Sequence, residues 1–275
     1  MSEEEFDIKK QWLPFPEVYD LPDTANNELV RFLSAPIIPL SKDYRKPDDT
    51  TLHFWSMIIE AMDHHDGLWM ELGVFEGASI NMIAAMTNAL SKDTKVYGFD
   101  CWAGLPEKWR SLDKGEFKVK EKPAVRETVE LVDGLFSESL PAFMSQRNGE
   151  HISLLHIDCD LYSSTMTAFE NLHKHFLPGT VIVFDEFALW PGFYGNKESE
   201  FEALIDASEK YGFKYEYIAR GWDAGRADCV KMFDMLKKDQ WDQIVDIAIK
   251  HKTVVLDWEW STKYSAREKA AIKII

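Results

Sequence analysis

The chain has 275 residues, 45% hydrophobic, 13% aromatic and 28% charged, a composition that can bury a full core and excludes a disordered or fibrous protein. With 47 acidic against 31 basic residues the formal charge is -16, so phosphate backbones and anionic lipid surfaces are repelled, and neither nucleic acid nor a membrane is expected as a partner. Cys101, Cys159 and Cys229 lack metal or redox spacing, and no stretch has the apolar length of a membrane span or a secretory leader, which points to a reducing cytoplasm.

Residues 1 to about 48 scatter Pro14, Pro16, Pro22, Pro36 and Pro39 and read as a wrapping arm with one short helix near Asn26 to Leu33. From Thr51 to Met62 the apolar positions Leu52, Trp55, Ile58, Ile59 and Met62 recur at helical spacing, up to the punctuation His64-His65-Asp66-Gly67. Short apolar runs then alternate with helical stretches, the pattern of βα units in a mostly parallel sheet. The pattern predicts strands over Leu68–Leu72, Lys95–Asp100, Thr128–Val132, Ile152–Asp158, Thr180–Phe184, Phe213–Ile218 and Cys229–Phe233. Helices are predicted over Ser79–Leu90, Ser163–Phe176 and Glu198–Tyr211. The polar link Ala219–Asp228 is too short for a helical crossover, so the last strand pair is expected to be antiparallel. Leu236 to Ile275 reads as a helix, a strand-like run at Thr253–Leu256 and a final Ala/Lys-rich helix.

The fold class is therefore α/β: a doubly wound, Rossmann-like, seven-stranded sheet, mostly parallel with an antiparallel last strand, plus N-terminal and C-terminal extensions. Residues 1–66 are expected to be an arm and helix covering the core, 67–235 the core and 236–275 a C-terminal extension, all in one compact domain.

Chemistry concentrates after the first predicted strand, in Glu71-Leu-Gly73-Val-Phe-Glu-Gly77-Ala-Ser79. Strand, glycine turn and helix bring backbone amides and a helix N-terminus to a ligand at the carboxyl edge of a sheet, and the glycines let it approach the backbone. Glu71 and Glu76 sit where a dinucleotide would place its doubly charged pyrophosphate, which argues against a nicotinamide dehydrogenase. S-adenosylmethionine, with an ammonium and a sulfonium, suits that loop better. Asp100, ending the second strand, can accept both ribose hydroxyls, or it is a strand-end charge or cap. For Glu76 the solvated reading is preferred.

Five blocks in order resemble class I methyltransferases, and within them the macrocin O-methyltransferases, which act on sugar hydroxyls in antibiotic biosynthesis. These are the Glu71–Ser79 loop, Phe99–Glu107, Gly134–Pro141, His156–Thr165, and Pro178-Gly179 leading to Val183–Glu186. The resemblance implies that Glu71, Gly73, Gly77 and Ser79 hold the methionine part of the donor, Asp100 the ribose, and Trp102, Phe136 and Ser137 the adenine surroundings. It also implies self-association through the N-terminal arm as a homo-oligomer. Two departures from the family pattern stand out: Cys101-Trp102 in place of Ser-Phe, and Asp185-Glu186 in place of Asp-Asp.

Asp158 ends one predicted strand, and Asp185 with Glu186 end the next, so three carboxylates are expected to converge as a hard-cation site, Mg2+ before Zn2+. Such an ion would lower the pKa of an acceptor hydroxyl, with Asp158 as ligand and proton acceptor; Asp160 is the alternative third ligand or a helix cap. The other reading has Glu186 capping a helix or paired with a cation, and no metal. His156 shares a strand face with Asp158 and reads first as a packed core residue, second as a base. His64 and His65 read as solvated loop residues before pocket residues. Trp190, Phe193, Tyr194, Trp222, Trp258 and Trp260 fit an acceptor pocket, core packing or an oligomer interface equally.

The expected function is O-methylation of a hydroxyl of a small metabolite, sugar-like or phenolic, with metal assistance. The alternatives are a metal-independent N- or carboxyl-methyltransferase of the same fold and a non-catalytic adenosine-ligand-binding protein.

Overall fold

A computed structural model describes residues 23–40, 49–90, 94–188, 194–223 and 268–275. In chain order these form α1 (Asp23–Leu33), β1 (Ile37–Leu40), α2 (Asp49–Ala61), β2 (Leu68–Leu72), α3 (Ala78–Leu90), β3 (Val96–Asp100), β4 (Val129–Asp133), α4 (Phe136–Met144) and β5 (Ile152–Ile157). There follow α5 (Tyr162–Leu172), prolonged by a 3-10 turn at His173–His175, then β6 (Phe176–Ala188), α6 (Glu200–Tyr211), β7 (Tyr215–Asp223) and β8 (Glu268–Ile274).

The strands make one sheet in the order β1-β7-β8-β6-β5-β2-β3-β4. The expected seven-stranded arrangement is present, with β1 added beside β7 from the segment read as arm. β2 and β5 are buried along their whole length, as central parallel strands covered on both faces must be, which is why they appear in sequence as near-continuous apolar runs. From β2 the chain winds outward through β3 to β4, and from β5 the other way to β6. The order reverses between β2 and β5, so the loops leaving their carboxyl ends diverge and leave a crevice there.

Helices cover both faces. On one, Phe54, Trp55 and Ile58 of α2 and Ile80 and Ile83 of α3 pack with Val96, Leu154 and Val183. On the other, Phe143 of α4, Phe169 of α5 and Phe201 and Leu204 of α6 pack with Leu155, Phe184 and Ile272. α1 docks on this second face because Ala25, Leu29 and Phe32 lie on one helical stripe and are fully buried. Its Glu28, nearly buried, accepts hydrogen bonds from the Tyr215 and Tyr217 hydroxyls at 2.7 and 2.6 Å and pairs with Arg31 at 2.7 Å. None of the described helices is long and apolar enough to cross a membrane.

The C-terminus corrects the sequence reading. The final Ala/Lys-rich segment, expected as a helix in an extension beyond residue 235, is the strand β8, inserted between β6 and β7 and antiparallel to both. Ala and Lys favour helix locally, but a central strand flanked on both sides gains a full ladder of hydrogen bonds, and small side chains let the helical layers close over it. Ala270, Ala271 and Ile272 are completely buried. β8 thus supplies the antiparallel strand expected at Cys229–Phe233, a segment that lies outside the described residues. So do Trp190, Phe193, Trp258, Trp260 and the run Thr253–Leu256, and the Trp222 side chain; Tyr194 packs near Phe201, 6.3 Å between ring centres.

Candidate active site

At the end of β2 the chain must turn under the end of β5. Gly73 makes that turn with φ +91°, and a Cβ there would stand 1.8 Å from the carbonyl oxygen of Asp158, so no other residue fits. Asp100, at the end of β3, holds the turn in shape: one carboxylate oxygen accepts from Val74 N and Phe75 N, both at 3.0 Å, and the other from Trp102 N at 2.7 Å. An ionised carboxylate has about four acceptor positions, so three are taken by the loops and one remains toward the cavity that Asp100 lines.

Glu71 is completely buried, and both of its oxygens are engaged. Ser79 Oγ donates to one at 3.1 Å, and His156 Nδ1 lies 2.9 Å from the other. Glu71 does not itself line the cavity; it holds two residues that do, Ser79 and His156. His156 is 1% exposed and packs edge-on against Trp55, as its core reading predicts, while its Nε2 makes no hydrogen bond among the described residues.

Asp158 and Asp185 meet beside that nitrogen, with one ligating atom of each of the three residues inside a 4.8 Å group. The ammonium of Lys269, on β8, pairs directly with Asp185, and His156 Nε2 lies 3.7 Å from the same oxygen. Burial raises the Asp158 pKa against the opposing charges of His156 and Lys269, with Glu71 and Glu186 adding to the rise. Burial lowers the Lys269 pKa, and Asp158 and Glu71 work against that shift. Lys269 was invisible to sequence reasoning because its strand was read as a helix.

Glu186 does not join this group. Its carboxylate lies outside that 4.8 Å group, although Glu186 borders the same crevice as Asp185. The residue is 5% exposed, near the carboxylate of Glu200, the first residue of α6. Glu200 is fully buried, and its pKa is pushed well above the ordinary carboxylate value by burial first and then by Asp158, Asp160 and Glu186. Nothing local in the sequence marked Glu200.

The arrangement does not fit the magnesium ion expected from sequence. Mg2+ needs a near-octahedral set of oxygens. Here, among the described residues, the third donor gathered with Asp158 and Asp185 is an imidazole nitrogen, and an ammonium already pairs with Asp185. Lys269 supplies the positive charge at this point from within the chain.

The crevice over these groups has a volume of about 470 Å3, in the range of small-molecule sites. Of the residues expected to hold a donor, Gly73, Ser79, Asp100, Phe136 and Ser137 line it, while Glu71, Gly77 and Trp102 do not. Trp102 turns its indole outward, Nε1 donating to Asp133 at 2.8 Å. α4, which was not foreseen as a helix, brings Phe136 and Ser137 to the wall in its first turn. Among the described residues the wall carries six carboxylates (Glu76, Asp100, Asp158, Asp160, Asp185 and Glu186) against one ammonium, Lys269.

Residues 70–187 match the family model of a methyltransferase domain. Among solved structures the chain is similar to the calicheamicin methyltransferase CalS11, at 18% identity over 72% of this chain and 89% of that one, with a TM-score of 0.49. It is similar to the O-methyltransferase NovP, at 16% identity over 71% and 95% with a TM-score of 0.47. A third is an O-methyltransferase from Bacillus cereus in complex with SAH, at 14% identity over 98% and 89% with a TM-score of 0.40. No curated protein matches the chain in sequence at a significant level. The family match covers the glycine turn after β2, the acid ending β3 and the strands on either side of the switch point.

Proposed function

We propose that the protein methylates a hydroxyl of a small metabolite, sugar-like or phenolic, using S-adenosylmethionine and no divalent metal. The observation that carries this reading is the charge of the crevice, where among the described residues six carboxylates face one ammonium, which favours a donor bearing an ammonium and a sulfonium over any phosphate-bearing nucleotide. S-adenosylmethionine supplies a methyl group made electrophilic by its positive sulfur.

Gly73 and Ser79 flank the methionine end, Asp100 offers its remaining acceptor position to the ribose, and Phe136 with Ser137 borders the adenine. Gly77, Glu71 and Trp102 act one layer back, Glu71 by orienting Ser79 and His156. Asp158 accepts the proton of the acceptor hydroxyl, a task suited to a carboxylate whose pKa burial has raised. Lys269, held by Asp185, stabilises the negative charge that develops on the acceptor oxygen.

The test measures S-adenosylhomocysteine formed from S-adenosylmethionine across a panel of sugar and phenol acceptors. Turnover with at least one hydroxyl acceptor, unaffected by EDTA and lost in Asp158→Asn with donor binding retained, is the expected result. Calorimetry showing no affinity for S-adenosylhomocysteine, or turnover restored only by added Mg2+, would remove it. Donor binding without transfer to any acceptor in the panel would instead favour the adenosine-binding alternative.

A further inference from the structure

We propose that the amino edge of the sheet, opposite the active site, holds a binding site for a divalent transition-metal ion of the Zn2+ type, formed by His64, Asp66 and His151. His64 and Asp66 lie in the link between α2 and β2, and His151 immediately precedes β5. Both strands run from this edge toward the crevice, so about five residues at ~3.3 Å each separate the two sites by roughly 17 Å. The inference is independent of any reading of the crevice.

One nitrogen from each histidine and one oxygen from Asp66 fall inside a 4.8 Å group. His151 Nε2 lies 3.4 Å from Asp66 Oδ1, the edge length of a tetrahedron whose centre is about 2.1 Å from each donor, as in zinc sites. The imidazoles stand perpendicular, 87° between planes and 4.6 Å between centres, so they converge rather than stack.

The histidines are built into place. His64 Nδ1 lies 3.0 Å from Ser153 Oγ, which also accepts from Gly67 N at 2.9 Å. That contact fixes the ring and leaves Nε2 as the ligating atom, the outer-shell arrangement usual for metal-bound imidazole. His151 lies against Gly67, where a Cβ would meet its ring at 2.6 Å, so only glycine admits it. The Nε2 atoms of both rings are buried and make no hydrogen bond among the described residues, a costly arrangement that an ion would relieve. Two imidazoles and one carboxylate suit Zn2+ or Co2+ and not Mg2+ or Ca2+, and three protein ligands leave a fourth position for water or a further group.

The test titrates tag-free, metal-stripped full-length protein with Co2+ and then Zn2+, reading the Co2+ visible bands and the melting temperature. The expected result is one Co2+ per chain with the intense bands of a four- or five-coordinate site, displaced by Zn2+, and a melting temperature raised by either ion. His64→Gln, His151→Gln and Asp66→Asn each weaken binding by about tenfold or more, while Asp185→Asn leaves it unchanged. Asp66 has a side chain 83% exposed, so its variant folds and carries the test should a histidine variant not. No saturable binding up to the order of 1 mM, binding indifferent to these three changes, or binding lost in Asp185→Asn would overturn the proposal.

Discussion

The two sides of the β6 terminus receive adjacent acidic residues and treat them oppositely. Toward α2 and α3, Asp185 meets an ammonium and an imidazole, and with Asp158 it forms a compensated cluster of mixed charge. Toward α6, Glu186 meets Glu200, whose carboxyl is pushed to the protonated side by burial and by the surrounding carboxylates. Sequence proximity says little about electrostatic role on a strand; the neighbours decide. The compensated side can hold and move charge, whereas burial and neighbouring carboxylates on the other side disfavour the charged form of Glu200.

The hardest way to break this comparison is to delete the compensating ammonium. Lys269→Met leaves Asp185 and Asp158 without their cation, and removing one partner of a buried pair costs about 3 kcal/mol or more, a fall in melting temperature of roughly 6–12 °C. Adding Asp185→Asn to that variant is expected to restore part of the loss; scanning calorimetry on both variants reads it. A melting temperature unchanged in Lys269→Met would show that no such compensation exists.

Next in size is Asp100→Ala, which takes a charged acceptor from three backbone amides at once. With each charge-assisted bond worth about 1.5–3 kcal/mol, affinity for S-adenosylhomocysteine is expected to fall by about 100-fold, measured by titration calorimetry, while Asp185→Asn keeps it within a few-fold. Equal losses in both variants would contradict the separation of donor and acceptor ends.

Glu200→Gln sharpens the comparison from the other side. Because the folded carboxyl titrates above its unfolded counterpart, the native state holds the extra proton once pH exceeds the unfolded pKa of about 4.3. Stability then declines by about 1.4 kcal/mol per pH unit as pH rises, until the folded group ionises. The Gln variant lacks that decline, so its melting temperature should match wild type near pH 4 and exceed it increasingly toward pH 7. A variant less stable than wild type at pH 7 would mean that the carboxylate is charged and paired. The smallest expected effect is that of chelation: under the metal-free mechanism proposed above, EDTA is expected to change S-adenosylhomocysteine affinity by less than about twofold.

Much of this architecture was legible in the chain before folding. Alternating apolar runs and helical stretches located β2 to β6 and the helices α3 and α5, because burial on both faces of a parallel strand leaves an apolar run, and a helix a periodic stripe, that local reading detects. The glycine turn and Asp100 were legible for a related reason: their demands are local, a positive φ at Gly73 and a short acid at a strand end. What tertiary structure alone decided is who meets whom across long separations. β8 became a strand because a gap between β6 and β7 offered it two ladders, against its own helical propensity. Lys269 reached Asp185 only through that insertion, and the Glu200 pKa is raised because α6 buries that carboxyl among Asp158, Asp160 and Glu186. Pairing across a sheet and desolvation by a distant helix are set by contacts that no local window of sequence contains.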